Sequence, residues 1–202
     1  GTSSFTTSAN NATIALDTTT NVFTGAVTIT TNDDSGNNAD VTIDGGTTAL
    51  VLAASTVDGD LTVRSGNASG ITDDEGTVTV GGNLSATTDA NNGVINLGTL
   101  AVNGTIALAT NGSGNVTVVN DAGLNFAAST VGGALSATAT TGNMTDSGAL
   151  AITGTTTLTT SADNATIALD TTTNAFTGAV TITTNDNSGT DADVTIDGGT
   201  TA

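Results

Sequence analysis

The sequence predicts an all-β protein, a parallel β-solenoid of about eight coils with three short strands in each. Three observations carry this. Residues 1–49 return as residues 154–202, identical at 41 of 49 positions. A shorter phrase, glycine followed by alternating apolar residues, recurs through the whole chain. The composition is 36% hydrophobic but only 2% aromatic, with 26 glycines and no proline.

The composition sets the kind of core. Its apolar residues are nearly all Val, Ile, Leu and Ala, and Thr, Gly, Asn, Asp and Ser fill most of the remainder. Thr and Val suit a pleated, half-buried surface, whereas Gly, Asn and Asp suit tight turns. Such a chain makes many short strands joined by many turns. The aliphatic content separates it from charge-driven disorder.

The anchor phrase begins at Gly1, Gly25, Gly59, Gly82, Gly104, Gly133, Gly154 and Gly178, at spacings of 24, 34, 23, 22, 29, 21 and 24. A unit this short cannot bury an apolar face alone, but it suits one coil of a stack. The two long intervals carry related insertions, ALVLAASTVDGDLTV (49–63) and GLNFAASTVGGALSA (123–137). Anchors three apart are separated by 79, 74, 72 and 74 residues, an intermediate period inside the long one. On this count residues 1–153 form one complete six-coil repeat and 154–202 the start of the next. Both ends then read as boundaries of an excerpt; Gly1 opens directly in repeat sequence, so that either a signal lies upstream in the full protein or the mature form is shown.

Within a coil, period-two alternation places apolar side chains on one face of each strand. The first strand supplies Val27/Ile29, Leu61/Val63, Leu84/Ala86, Ile106/Leu108, Leu135/Ala137 and Val180/Ile182. The second supplies Ile14/Leu16, Val41/Ile43, Ile95/Leu97, Val116/Val118 and Ile167/Leu169, and the third Val78/Val80, Leu100/Val102, Leu124/Phe126 and Leu150/Ile152. Stacking anchor on anchor predicts inward ladders of these residues. Eight coil starts at ~4.8 Å per rung give a rod roughly 38 Å long. No helical stripe of apolar residues persists beyond one turn.

The phrases ITDDEGTVTVGG (71–82), GGNLSATTD (81–89), FAASTVGGALSAT (126–138) and MTDSGALAITGTTTLTT (144–160) resemble filamentous-haemagglutinin-type surface proteins. The resemblance extends over the whole chain and rests on repeat texture. It implies a right-handed parallel β-helix, a place in the shaft of a giant secreted or cell-surface adhesin, and an extracellular location. That family's secretion-directing N-terminal domain has no counterpart here.

The inventory of reactive side chains is short. Formal charge is −18, with Arg64 as the single Lys or Arg, and His, Cys, Tyr and Trp are absent. So anionic a chain cannot neutralise phosphates, which argues against nucleic acid and anionic membrane surfaces as partners. No apolar run approaches the length of a membrane-spanning helix. Sugar-cleaving chemistry needs paired carboxylates beside groups that hold the sugar. The candidates are Asp73, Asp74 and Glu75, and then Asp33 and Asp34, all in turns; the expectation is a solvated surface and no enzyme. Without Cys or His, a metal site could only be a set of oxygen ligands for Ca²⁺. The acidic turns Asn32–Asp40 and Asn185–Asp193 are the sole candidates, and they lack the EF-hand register.

No catalytic, cofactor-binding or metal-binding residue is therefore assigned, and no cofactor is expected. Sequons at Asn11, Asn67, Asn83, Asn103, Asn111, Asn115, Asn143 and Asn164 read mainly as turn residues. The paired glycines Gly45-Gly46 and Gly81-Gly82 are not phosphate cradles, since neither a Lys nor a helix follows.

Two outward rows follow from the anchor alignment. One is Thr28, Thr62, Ser85, Ala107, Ser136, Thr157 and Thr181; the other is Thr30, Arg64, Thr87, Ala109, Thr138, Thr159 and Thr183. The expected function is a structural shaft, with an ice- or glycan-contacting module on these rows as the alternative. The expected partners are neighbouring repeats, end-to-end copies of the chain, and a receptor met through regions outside this segment.

Overall fold

The computed structural model of the protein describes residues 1–32, 38–74, 76–187 and 191–200. Among these there is no helix, and every strand pairing is parallel and joins one coil to the next. The strands form two sheets that face each other across a single aliphatic core. The chain winds from one sheet to the other and back at each coil, so the expected solenoid is found.

The first sheet runs through Ser3–Thr6, Val27–Thr30, Leu50–Leu52 with Ser55–Val57, and Ile71–Asp73 with Val78–Val80. It continues through Ile95–Val102, Val116–Asn120, Leu135–Ala139, Thr156–Asp163 and Val180–Asn185. The second sheet begins with Ile14–Leu16, Val41–Asp44, Leu61–Ser65, Leu84–Asn91 and Thr105–Asn111. Its later rungs are Leu124–Phe126 with Ser129–Val131, Met144–Asp146 with Leu150–Ile152, Ile167–Leu169 with Ala175–Phe176, and Val194–Ile196. Each sheet thus spans eight turns between its first and last rung.

The third strand of a coil is not a third wall. It is one limb of a side that kinks in the middle: Val78/Val80 and Leu150/Ile152 lie on the second limb, Leu124/Phe126 on the first. Ala53-Ala54-Ser55 and Ala127-Ala128-Ser129 make this kink with the same bonds. The Ile29 N–H donates to Ser55 Oγ (3.0 Å), which donates to the Ala53 carbonyl (2.8 Å). The Leu108 N–H donates to Ser129 Oγ (3.0 Å), which donates to the Ala127 carbonyl (2.9 Å). Both serines are buried, and each replaces a ladder bond that the kink interrupts. Replacing Ser55 with Ala leaves a buried N–H unpaired and should cost about 1–3 kcal/mol. Urea unfolding followed by circular dichroism checks this, and an unchanged midpoint would reject the bridging role.

The register corrects the anchor-on-anchor alignment. Val27, Leu135 and Val180 lie in the first sheet, whereas Leu61, Leu84 and Ile106 lie in the second. The ladders are right between neighbours: Leu61 stacks on Leu84 and Leu84 on Ile106, and Ile95 stacks on Val116. They break because "second-strand" Val41 stacks on "first-strand" Leu61, and Val116 on Leu135. The cause is arithmetic. From Ser3 the pairing path passes through the rungs of Val27, Leu50–Leu52, Ile71, Ile95, Val116 and Leu135 to Thr156, seven steps where the glycine spacing counted six. A 153-residue offset of seven coils makes its two halves three and a half coils each. Every motif therefore returns, half a repeat later, on the opposite sheet.

The two related insertions display this exchange. Residues 50–57 lie in the first sheet and lead to Leu61–Ser65 in the second; residues 124–131 lie in the second and lead to Leu135–Ala139 in the first. A turn with a left-handed asparagine recurs at Asn11, Asn92 and Asn164, with φ of 61°, 62° and 59°. It connects first sheet to second, then second to first, then first to second. Asn tolerates this conformation far better than a branched residue would.

The anchor glycines are explained by close approach at the corners. A Cβ on Gly104 would lie 2.5 Å from the Gly82 carbonyl oxygen, and one on Gly154 2.5 Å from that of Gly133. Successive corners rest backbone on backbone, which only glycine allows. Between the corners the core is continuous. Val27, Ile29, Ile43, Leu61, Ile71 and Phe126 are among its fully buried side chains, each stabilising by about 1.5–3 kcal/mol relative to exposure.

Candidate functional surface

Acidic and amide side chains at the corners bridge one rung to the next. Asp40 Oδ1 accepts the Asp60 N–H (2.9 Å), Asp60 Oδ1 accepts the Asn83 N–H (2.7 Å), and Asn83 Oδ1 accepts the Thr105 N–H (2.8 Å). All four residues stand just before an inward-facing residue, at the corner, where each Oδ1 meets the N–H of the next rung. Asn115 Oδ1 accepts from the Ala134 N–H and Asn143 Oδ1 from the Thr166 N–H in the same way. Three sequon asparagines, Asn83, Asn115 and Asn143, thus carry inter-rung bonds. A fourth, Asn67, donates to the Thr47 carbonyl and accepts from the Ser69 N–H. Asn111 donates to the Asp89 carbonyl.

The acidic run at 73–75 does not converge on a point. Asp73 Oδ2 accepts from the Thr99 N–H (2.8 Å) and hydroxyl (3.0 Å) one rung away, so Asp73 is half-buried and structural, where a solvated turn was expected. Asp74 is exposed and accepts only a long local bond from Gly76 (3.3 Å). Glu75, Asp33 and Asp34 lie outside the described residues, as does most of the acidic stretch within 32–40. Among the described residues no group of three or more acidic side chains is placed to hold a metal ion.

Arg64 Nε pairs with Asp89 Oδ2 at 3.1 Å, with both side chains half exposed. Such a pair contributes about 0–1 kcal/mol. It borders a surface groove that also involves Asp17, Thr42, Asp44, Thr62 and Thr87. The groove is an open gap between successive rungs, and Ile43 and Val63 of the core lie at its floor.

The outward rows change with the register. Thr62, Ser85 and Ala107 face outward from the second sheet, while Thr28, Ser136, Thr157 and Thr181 face outward from the first. Neither row expected from the sequence exists as a single line. The four last rungs of the first sheet carry Thr117/Val119, Ser136/Thr138, Thr157/Thr159 and Thr181/Thr183 in register. This is a two-column array at ~4.8 Å along the rod and ~7 Å across it. The corresponding second-sheet positions include Asp44, Arg64, Thr87, Ala109, Thr130, Ala151 and Ala175, which form no such array.

A family described as repeats of unknown function (DUF5649) matches residues 37–97 and 113–183, more than half of the chain. The chain belongs to this family of repeats. No curated protein and no solved structure matches it. The two matched DUF5649 stretches start 76 residues apart, close to the half-repeat offsets of 72–79. The first reaches its opening strand, Val41–Asp44, in the second sheet, and the other its opening strand, Val116–Asn120, in the first. The two matched stretches thus start about three and a half coils apart and present the same motifs to opposite sides of the rod.

Proposed function

We propose that this chain is a stiff shaft segment of a giant extracellular adhesin or surface filament, lying outside the cell and carrying no catalytic activity. The observation that carries this reading is the uninterrupted parallel stack, with an aliphatic core and corners bonded rung to rung. Its length is set by repeat number alone. Such a stack resists bending because each rung is held by backbone ladders on both sides and by bridges such as Asp60 to Asn83. The resemblance to filamentous-haemagglutinin-type proteins supports the adhesin assignment, with receptor contact made by regions beyond this segment. The absence of His, Cys, Tyr, Trp and Lys from the sequence supports the non-enzymatic part.

The test is geometric. Chains of one, two and three 153-residue units, imaged by electron microscopy, should lengthen by about 34 Å per unit at constant width, seven rungs at ~4.8 Å. A plateau in length, or units that fold back on one another, would reject the shaft. Turnover of a polysaccharide by the folded chain would reject the non-enzymatic reading.

The two-column hydroxyl array favours a second reading, contact with an ordered lattice such as ice or a glycan surface. It expects inhibition of ice recrystallisation or retention on a glycan matrix, lost when Thr157 and Thr181 are both replaced by Lys. Inactivity of the unaltered chain in both assays disposes of it.

A further inference from the structure

Attachment of a sugar to a sequon needs an exposed and free carboxamide, and the fold sorts the eight sequons by that requirement. In five the carboxamide is tied to another part of the stack. Nδ2 of Asn67 donates to the Thr47 carbonyl, and Nδ2 of Asn111 to the Asp89 carbonyl. Oδ1 of Asn83, Asn115 and Asn143 accepts from the N–H of Thr105, Ala134 and Thr166. Asn11 and Asn164 form the same left-handed turn in the two copies of the repeat. Asn11 adjoins only one rung, so Asn164 represents the pair. Asn164 is partly buried, and its Oδ1 is enclosed without a hydrogen bond.

Asn103 is the exception. It stands in mid-stack, at the corner between Val102 of the first sheet and Thr105 of the second, and it is exposed. Its N–H donates to the Val80 carbonyl (3.0 Å), which fixes the corner, but its carboxamide makes no hydrogen bond. Thr105 completes the sequon, and its hydroxyl, donating to Asn83 Oδ1 at 2.9 Å, keeps its lone pairs free to accept. The neighbours are small. Gly104 follows Asn103, and Ala122 and Gly123 stand beside it, leaving an open groove of about 310 Å³, at the small end of ligand sites. Asn125, Asn143 and Thr145 line its polar side. Asn125 Oδ1 there takes no hydrogen bond from the protein, and an acceptor left without a donor is costly. Sugar hydroxyls are donors of the kind it lacks.

We propose that Asn103 is a site of N-linked glycosylation, that it takes a hexose from a sugar nucleoside diphosphate through a sequon-directed transferase, and that the groove beside it seats this sugar. The bond from Nδ2 to the sugar C1 forms as the C1–O bond to the diphosphate breaks. The nucleoside diphosphate leaves with the electron pair, and Nδ2 gives one proton to a base of the transferase. A substituent at this corner projects from the edge of the rod, so the ladders, the core and the threonine array are left as they are. Shaft and glycan are therefore independent: rod length reports the one, sugar attachment the other.

The folded chain, incubated with UDP-glucose and a soluble sequon-directed N-glycosyltransferase of proven activity on an unrelated sequon peptide, tests this by peptide mass mapping. The expected result is a single hexose at Asn103. Asn67, Asn83, Asn111, Asn115, Asn143 and Asn164 should lag by about tenfold or more, since each must first open locally. Asn103→Gln and Thr105→Ala should each abolish the fast attachment with circular dichroism unchanged, and Thr105→Ser should retain it. A hexose lodged in the groove should raise the melting temperature of the unaltered chain but not that of Asn125→Ala. Equal rates at all these sequons, or no hexose at Asn103, overturn the site. A melting temperature that the hexose does not move overturns the seat in the groove.

Discussion

Leu61→Asp is expected to abolish cooperative folding of the stack around the third coil. Leu61 is fully buried and lies in register between Val41 and Leu84 in the second sheet. Losing its apolar burial costs roughly 2–3 kcal/mol, and a carboxyl group with no partner in that column adds roughly 2–5 kcal/mol. The sum approaches the whole stability of an ordinary domain, about 5–15 kcal/mol. Because each rung is held mainly by its neighbours, the damage spreads along the rod. Urea unfolding followed by circular dichroism reads the effect. The control is Thr62→Asp, one residue along and facing solvent, which should move the midpoint by no more than about 0.5 kcal/mol. Equal midpoints for Leu61→Asp and the unaltered chain would mean that Leu61 is not a ladder residue.

Removing residues 60–133 is expected to leave a folded, shorter rod, although more than a third of the chain is gone. The deletion joins Gly59 to Ala134 and removes one half-repeat. Leu135 then takes the place of Leu61 above Val41, and Thr156–Asp163 takes that of Leu84–Asn91. Every downstream strand changes sheet, yet each meets a neighbour of the kind it meets in the intact chain. The rod should shorten by about 17 Å, three and a half rungs at ~4.8 Å. Small-angle scattering gives the length, and thermal melting the cooperativity. A deletion of 60–96, which joins Gly59 to Leu97 and is no multiple of the half-repeat, should not fold. If both deletions fold equally well, or neither does, the sheet exchange is not a property of the repeat.

The half-repeat also explains which features of the surface were readable in advance. Period-two alternation identified inward and outward residues correctly strand by strand: Leu61 and Val63 in, Thr62 and Arg64 out. It could not show that Thr62 and Thr28 lie on opposite sides of the rod. Each motif follows its glycine identically on either sheet, because the corner contact that demands glycine is the same at both edges of the core. Spacing from glycine to glycine therefore counts corners without revealing which corner. Similarly, Asp73 reads as one acid among several in a polar turn, since its partner Thr99 is a full coil away and no local pattern marks the pair.

The amino-acid sequence by itself determined the solenoid, its parallel stacking and the inward residues. These depend on short-range alternation, on turn chemistry and on residue types, all of which are local. The tertiary structure alone decided the number of coils in the long repeat, the sheet on which each motif lies and the rows that side chains form along the rod. Those depend on how many coils lie between one anchor glycine and the next, and the two long intervals, which contain the kinks at Ser55 and Ser129, each hold one and a half. A difference of half a coil leaves every local pattern unchanged and moves a whole row of threonines to the other face.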